Sequence, residues 1–440
     1  MKKNFEFILI FCTIIGIYSQ GYSATFINTL PYTITNSGEY VITQDCSIGS
    51  GTGIIINADN VTLKGSGDRK AINYAANGSG IAIQISQGRR NVLIKNLTLN
   101  QENIFKNSKG IDGSSLIAFT ADDVRINIKS GVSKSAYGFD VSGDSNSHIR
   151  NCTVNISGES RFYGIDRPTN LKIHDCTFTV DNHSNPSQYP YVIYNPNNTE
   201  IYNNRFDING AKVNVFGSWG GDNNLIHGNV IHYSSTHGGR IILINGGADG
   251  WEIYNNTITV TSNTSEAQYV LRIRGIDGKS ADNNLFHHNT VDVFSASGKI
   301  YAVSLGDNSP MYGNKIYSNL IISKSSAIHF YHSNADDTAI FCNDIQAKGN
   351  AIPIDIGYRI PTGVKIFSNE LASERSDGKL VYVTTSSPGI QFCDDDINNS
   401  DISGGGSVSI SSAVCQPSRC SDSPGAGYIS APTNLRVVHK

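Results

Sequence analysis

Apolar and polar residues alternate in short runs along most of this chain, and four runs are near copies of one another. They are 170–180 (NLKIHDCTFTV), 199–208 (TEIYNNRFDI), 224–233 (NLIHGNVIHY) and 251–260 (WEIYNNTITV). Each holds an Ile anchor, a polar corner and a further apolar alternation. A period of two marks a strand with one buried face, and Asn tolerates the left-handed backbone of a tight corner. Equivalent anchors are Leu63, Ile94, Ile126, Ile149, Ile173, Ile201, Ile226, Ile253, Phe286, Ile316, Ile340, Ile366 and Ile390. Such spacing marks a repeat architecture.

Every repeat is made of strand-like pieces, which excludes helical solenoids, and no Trp-Asp propeller signature appears. The pattern predicts an all-β fold, a single-stranded right-handed parallel β-helix of about 12–13 coils. One coil cannot bury its apolar side alone; stacked coils share a continuous core. Asn229, Asn256, Asn289, Asn319, Asn343 and Asn369 fall three positions past their anchors. They are expected to stack as a hydrogen-bonded ladder, so they read as scaffold rather than ligands. His148, His174 and His227 lie beside that corner and take the same structural reading. Longer steps place loop insertions near 66–80, 100–115, 261–268 and 278–283.

Residues 1–24 have the form of a secretory signal peptide: Lys2 and Lys3, an apolar run over 7–17, then Gly21, Ser23 and Ala24. The run is too short to span a bilayer, and no later stretch predicts a membrane helix. Residues 25–400 then form the β-helix with its N-terminal cap, and 401–440 a C-terminal cap and Ser/Gly/Pro-rich tail. A secreted, periplasmic or cell-surface monomer is expected. Export permits disulfides. Cys152 and Cys176 occupy the same place in adjacent repeats, and Cys415 and Cys420 are close in sequence; these are the candidate disulfide cysteines. No cysteine spacing resembles a zinc module.

Charged residues make up 16% of the chain, against roughly 25% in an ordinary domain. The formal charge is 34 − 37 = −3. No basic face is implied, so nucleic acid is not an expected partner.

Candidate chemistry lies on the outward face of the middle strand of each coil. That stripe should hold Asn195, Asn214, His237, Arg240, Arg272 and Arg274. Trp219, Trp251, Tyr163 and Tyr191 lie nearby and would suit sugar stacking. The repeats resemble the pectate-lyase-like superfamily over nearly the whole chain after residue 24. Polygalacturonase-type members carry, on successive coils, Asn-Thr-Asp, a paired Asp, His-Gly and Arg-x-Lys. His237-Gly238 and Arg272-Ile273-Arg274 match the last two in order. Asn195 and Asn214 stand where carboxylates are required. An inverting glycosidase needs one carboxyl as acid and one as base, and Asn serves as neither.

Two functions follow. One is an exported β-helix that binds extended polysaccharide, or another cell-surface partner, without catalysis. The other is a polysaccharide lyase or related enzyme acting on uronic-acid glycans, with catalytic residues drawn from His237, Arg240, Arg272 and Arg274. No cofactor is required by the first. The second would call on a cation such as Ca²⁺ to neutralise the uronate. Asp166, Asp222 and Asp249 are the calcium candidates in predicted turns, where an Asp ordinarily caps the backbone.

Overall fold

A computed structural model describes residues 23–411 apart from 104–106, 131–134, 159–160, 183–189, 211, 263–265, 296–298, 333–334, 358–362, 394–396 and 398. Residues 1–22 of the leader stretch, the tail beyond 411, and Cys415 and Cys420 lie outside the described residues.

The chain winds as a right-handed parallel β-helix, a solenoid of about 12 turns. Among the described residues its strands form a 27-stranded sheet, a 15-stranded sheet and a two-stranded pair. The larger sheet is two ladders. Val92–Gln101 and Thr120–Ser130 join them by running unbroken through a corner that later coils turn sharply. Strand pairing continues past residue 400, to Ile402–Ser403 and Ser409–Ser411.

The anchors build the core. From Ile149 through Ile173, Ile201, Ile226, Ile253, Phe286, Ile316 and Ile340 to Ile366 they stand in one register column. All are buried, each contributing about 1.5–3 kcal/mol of apolar transfer. Two expected anchors are displaced. Ala121, not Ile126, pairs with Ile94 and Ile149; Ile126 pairs with Leu99 in the next ladder. Phe392, not Ile390, pairs with Ile366. In the first case the anchor is a small residue that apolar pattern overlooks. In the second, two residues of one alternation share a face, so either satisfies the period.

The corner after each anchor uses a left-handed residue. Asn151, Asp175, Asn203, Asn255, His288, Ser318 and Ser368 all have φ of 53–55°. The next residue carries the ladder. Asn204 Nδ2 donates to Asn229 Oδ1 at 3.0 Å, and the chain of bonds continues through Asn256, Asn289, Asn319 and Asn343 to Asn369. Each Oδ1 also accepts the neighbour's backbone N–H, as Asn256 does from Asn229 at 3.0 Å. These side chains pair corner polar groups whose burial would otherwise be costly.

Cys152 and Cys176 occupy this same column one coil apart, and both are free, buried thiols. The expected disulfide between them is therefore absent. Equivalent positions on paired strands lie about 4.8 Å apart with parallel Cβ vectors, while a disulfide draws its Cβ atoms to about 3.8 Å. Instead the Cys152 amide donates to Cys176 Sγ, and the Cys176 amide to Asn204 Oδ1.

Outside the same corner His174, Tyr202, His227, Tyr254, His287, Tyr317 and Phe341 form one continuous stack, with centroids 4.6–5.3 Å apart. Their faces are spent on one another and only edges meet solvent. The stack therefore supports the rod and offers no platform to a sugar ring.

Candidate functional site

The 15-stranded sheet positions the site. Its parallel register lines up outward side chains from successive coils into two columns. The first runs Lys109, Tyr137, Tyr163, Tyr191, Asn214, Arg240, Tyr269 and Tyr301. The second runs Asp112, Asp140, Asp166, Tyr194, Gly217, Leu243, Arg272, Ser304, His329 and Asp355. Leu243 is buried yet takes no part in the core cluster, as its place on this outer face requires.

The cationic end is built on Asp307. Arg272 Nη2 donates to its Oδ2 at 3.2 Å and Arg274 Nη1 to the same oxygen at 2.9 Å. Arg274 Nε donates to Asn245 Oδ1 at 2.6 Å. Both arginine side chains are about nine-tenths buried. The Arg272 guanidinium lies 4.6 Å from the Tyr269 ring centre and 5.7 Å from that of Tyr331; Arg274 lies 5.8 Å from Trp219. Aromatic faces stabilise desolvated cations there. Burial still pulls the Arg272 pKa down, and Arg274 and Arg240 add repulsion. Two guanidiniums on one carboxylate leave a net positive charge.

Several buried polar atoms on this face have no partner: both side-chain atoms of Asn214, Asn245 Nδ2, Arg272 Nε, Ser304 Oγ and His329 Nδ1. His329 stacks on Tyr301 at 4.2 Å. Burial, with Arg272 and Lys299 nearby, pushes its pKa down to about 4. At neutral pH it is an uncharged imidazole, so its 3.9 Å approach to Asp355 is not an ion pair.

The opposite end is acidic. Asp112, Asp140 and Asp166 stand on three neighbouring strands beside the stacked rings of Tyr137 and Tyr163. Lys109 bridges Asp112 at 2.9 Å and Asp140 at 2.6 Å, and Arg167 holds Asp166 at 3.1 Å. Burial raises the Asp166 pKa to about 6, against the pull of Arg167. A polar groove of about 530 Å³ runs alongside, lined by Gln84, Ser114, Asp140 and Arg167 among others. The local sequence repeats Gly-apolar-Asp at 110–112, 138–140 and 164–166. A Cβ on Gly138 would collide with the Gly164 carbonyl, and one on Gly164 with that of Val192, so the tight stacking of these strands needs glycine.

Several solved structures align with the chain. A tailspike protein mutant of E. coli bacteriophage HK620, in complex with pentasaccharide, aligns at 10% identity and TM-score 0.45 over 88% of this chain and 71% of that one. The Streptococcus pneumoniae surface protein and adhesin PfbA aligns at 13% and 0.33 over 78% and 91%. The Azotobacter vinelandii mannuronan C-5 epimerase AlgE4 A-module aligns at 15% and 0.32 over 85% and 91%. The chain is a parallel β-helix. At these identities the likeness is one of fold. No family model and no curated relative matches the chain.

On this β-helix the residues expected from sequence separate. Asn214, Arg240, Arg272, Tyr163 and Tyr191 share the outward face, with Arg274 and exposed Trp219 at its edge. Asn195 caps a turn: its Oδ1 accepts from the Trp219 amide at 2.8 Å. His237 sits in the corner before Arg240–Asn245, its ring on the Thr236 hydroxyl at 3.0 Å. Trp251 is not a sugar platform. It is fully buried, donating Nε1–H to the Gly221 carbonyl at 2.7 Å. It occupies the column that Asn224, Asn284 and Asn314 fill elsewhere, and its amide donates to Asn284 Oδ1. Asp166 lies in strand Phe162–Asp166 rather than a turn. Asp222 and Asp249 cap stacked turns, Asp222 Oδ1 accepting from the Asp249 amide and Asp249 Oδ1 from that of Asp282. Among the described residues no cluster of three acidic, His or Cys groups fits a metal. Asp307, Ser304, His329, Tyr269 and Tyr301 escaped sequence reasoning. Register arithmetic between adjacent middle strands would have found all but Asp307.

Proposed function

We propose that this protein binds an extended anionic polysaccharide along the outward face of the 15-stranded sheet. The observation that carries the reading is the pair Arg272 and Arg274. Two buried guanidiniums share one carboxylate among tyrosines, with unsatisfied donors beside them. Desolvated cations with spare N–H groups attract a carboxylate strongly. The flanking columns extend the contact over many coils, as a linear glycan requires. Export, read from the Lys2–Lys3 leader pattern, would bring the protein to such glycans; amino-terminal sequencing of the secreted protein tests it.

The binding test is a panel of acidic and neutral polysaccharides measured by titration calorimetry. Acidic chains should bind, and Arg272→Ala should weaken them at least tenfold. Equal binding of neutral chains, or indifference to Arg272→Ala, would overturn the reading.

His329 favours a second reading, a polysaccharide lyase. A neutral imidazole with a free Nδ1 beside a guanidinium can take the C5 proton of a uronate while Arg272 stabilises the charge that develops; the C4–C5 double bond then forms as the C4–O bond breaks, and the departing oxygen takes a proton from solvent. Burial is the main cause of the lowered His329 pKa; a bound carboxylate would offset the smaller contribution of Arg272 and Lys299. Rising absorbance of unsaturated products, lost in His329→Gln, would support it; binding without such products would rule it out.

A further inference from the structure

We propose that the outward corner at Phe341 and Phe367 is the docking surface for the chain's own carboxyl-terminal segment, stapled there by two disulfides, Cys393–Cys415 and Cys342–Cys420. The inference is independent of the glycan reading.

The thiols lead to it. Cys46, Cys152 and Cys176 are free, whereas Cys342 and Cys393 are each disulfide-bonded. These two are not bonded to one another. Phe341 pairs with Phe367 and Phe367 with Cys393, so Cys342, next after Phe341, stands two strands from Cys393. Two strand spacings are roughly 10 Å, while a disulfide holds its Cα atoms within about 7 Å. The Phe367 ring also stands between them, stacked on Phe341 at 5.0 Å.

Each therefore bonds a cysteine outside the described residues, where Cys12, Cys415 and Cys420 lie. Cys12 is too far away. It precedes Thr25 by 25 − 12 = 13 residues, a reach of up to about 45 Å. Twelve strand pairings separate Thr25–Ile27 from Ala339–Phe341, a rise of roughly 58 Å. Cys415 and Cys420 remain.

Chain length fixes the pairing. Ser411 pairs with Cys393, so the chain leaves its last strand one rung beyond that cysteine. Cys415 follows by four residues, up to about 14 Å of chain, ample to turn back to Cys393. Five more residues lead to Cys420, up to about 17 Å, against the roughly 10 Å from Cys393 to Cys342. In this order the segment runs once down the corner. The crossed order would stretch it past Cys393 to Cys342 and then bring it back.

Burial marks the path. Phe367 and Cys393 are each 1% exposed and form a cluster apart from the core, with Phe341 packed against it. Phe367 ends the aromatic stack on the outside of the corner, where a ring is buried only beneath a cover. Ala413 and Val414, just before Cys415, are the apolar residues suited to lie there. Each bond joins two thiols, and two protons and two electrons pass to an oxidising disulfide, which leaves as two thiols.

The test treats the purified protein with glutathione disulfide, alkylates it in denaturant and cuts it with trypsin for mass spectrometry. Residues 325–348 should be joined to 420–436, and 380–419 should appear alone, lighter by two hydrogens. Any join between 380–419 and another peptide, or free thiols at Cys342 and Cys393, would overturn the inference. Docking is read in the folded protein. Trypsin should cut at Arg419 about tenfold faster in Cys342→Ser, or in the native protein under mild reductant, because the segment then opens locally. Unchanged cleavage under reductant would overturn the docked path.

Discussion

Arg272 and Arg274 donate to the same oxygen, Oδ2 of Asp307. Removing that carboxylate would leave two buried guanidiniums without the counter-charge they share, although Arg274 would keep its bond to Asn245 Oδ1. Asp307→Asn should therefore destabilise the protein by about 3 kcal/mol, within the range for breaking a buried ion pair. Denaturant unfolding measures it, and the double variant Asp307→Asn, Arg272→Met should recover part of the loss.

The two ends of the face should answer acid in opposite senses. His329 titrates near 4 in the fold against 6.5 when free, so its contribution is complete above pH 6.5 and lost as pH falls toward 4. Asp166 titrates near 6 against 3.8, so its contribution is complete below pH 3.8 and lost as pH rises through 6. Between pH 6 and 4 the effects oppose. Calorimetric melting should show Asp166→Asn losing stability on acidification more steeply than the native protein, and His329→Gln less steeply.

The Asn ladder can be probed at one rung. Asn256→Ala strands the Asn229 amide, takes the side-chain donor from the Ile226 carbonyl and removes one of the bonds made by Asn229 Nδ2 and by Asn289 Oδ1. A loss of about 2–3 kcal/mol is expected, because buried groups lose their partners. Cys176→Asn should by contrast be tolerated, since Asn204 Oδ1 already faces that position.

Cys152 and Cys176 should resist alkylation in the native protein and react fully in denaturant without reductant. Mass spectrometry of the modified protein reads this directly. A requirement for reductant would contradict their free state.

The two tryptophans should separate cleanly. Trp251→Ala opens a core cavity and should cost about 3–5 kcal/mol. Trp219 is 44% exposed and lies against Arg274, so Trp219→Phe should leave stability nearly unchanged. It should also remove the fluorescence response to an acidic glycan, if one binds at Arg274.

The scaffold was legible because its demands are local. A period of two, an Ile anchor and an Asn at the corner can each be seen within ten residues, and tertiary packing only repeats them. The site was less so, because its neighbours are set by coil length. Arg272 and Asp307 meet across 35 positions, and the insertions that fix such separations do not follow the repeated phrase. Arg272 and Arg274 stood out only as charges in charge-poor strands. Trp251 misled because a buried column that usually takes Asn accepted an indole, and nothing local distinguishes a Trp before an anchor from one on the surface. The three Gly-apolar-Asp triplets were visible but lie outside the segment where carboxylates were sought.

The two columns also make the rod directional. Asp112, Asp140 and Asp166 stand toward the amino-terminal end and Arg240, Arg272 and Arg274 toward the other, with tyrosines between. A glycan bound along this face, as proposed, would meet a different charge at each end, a form of recognition that no single coil possesses.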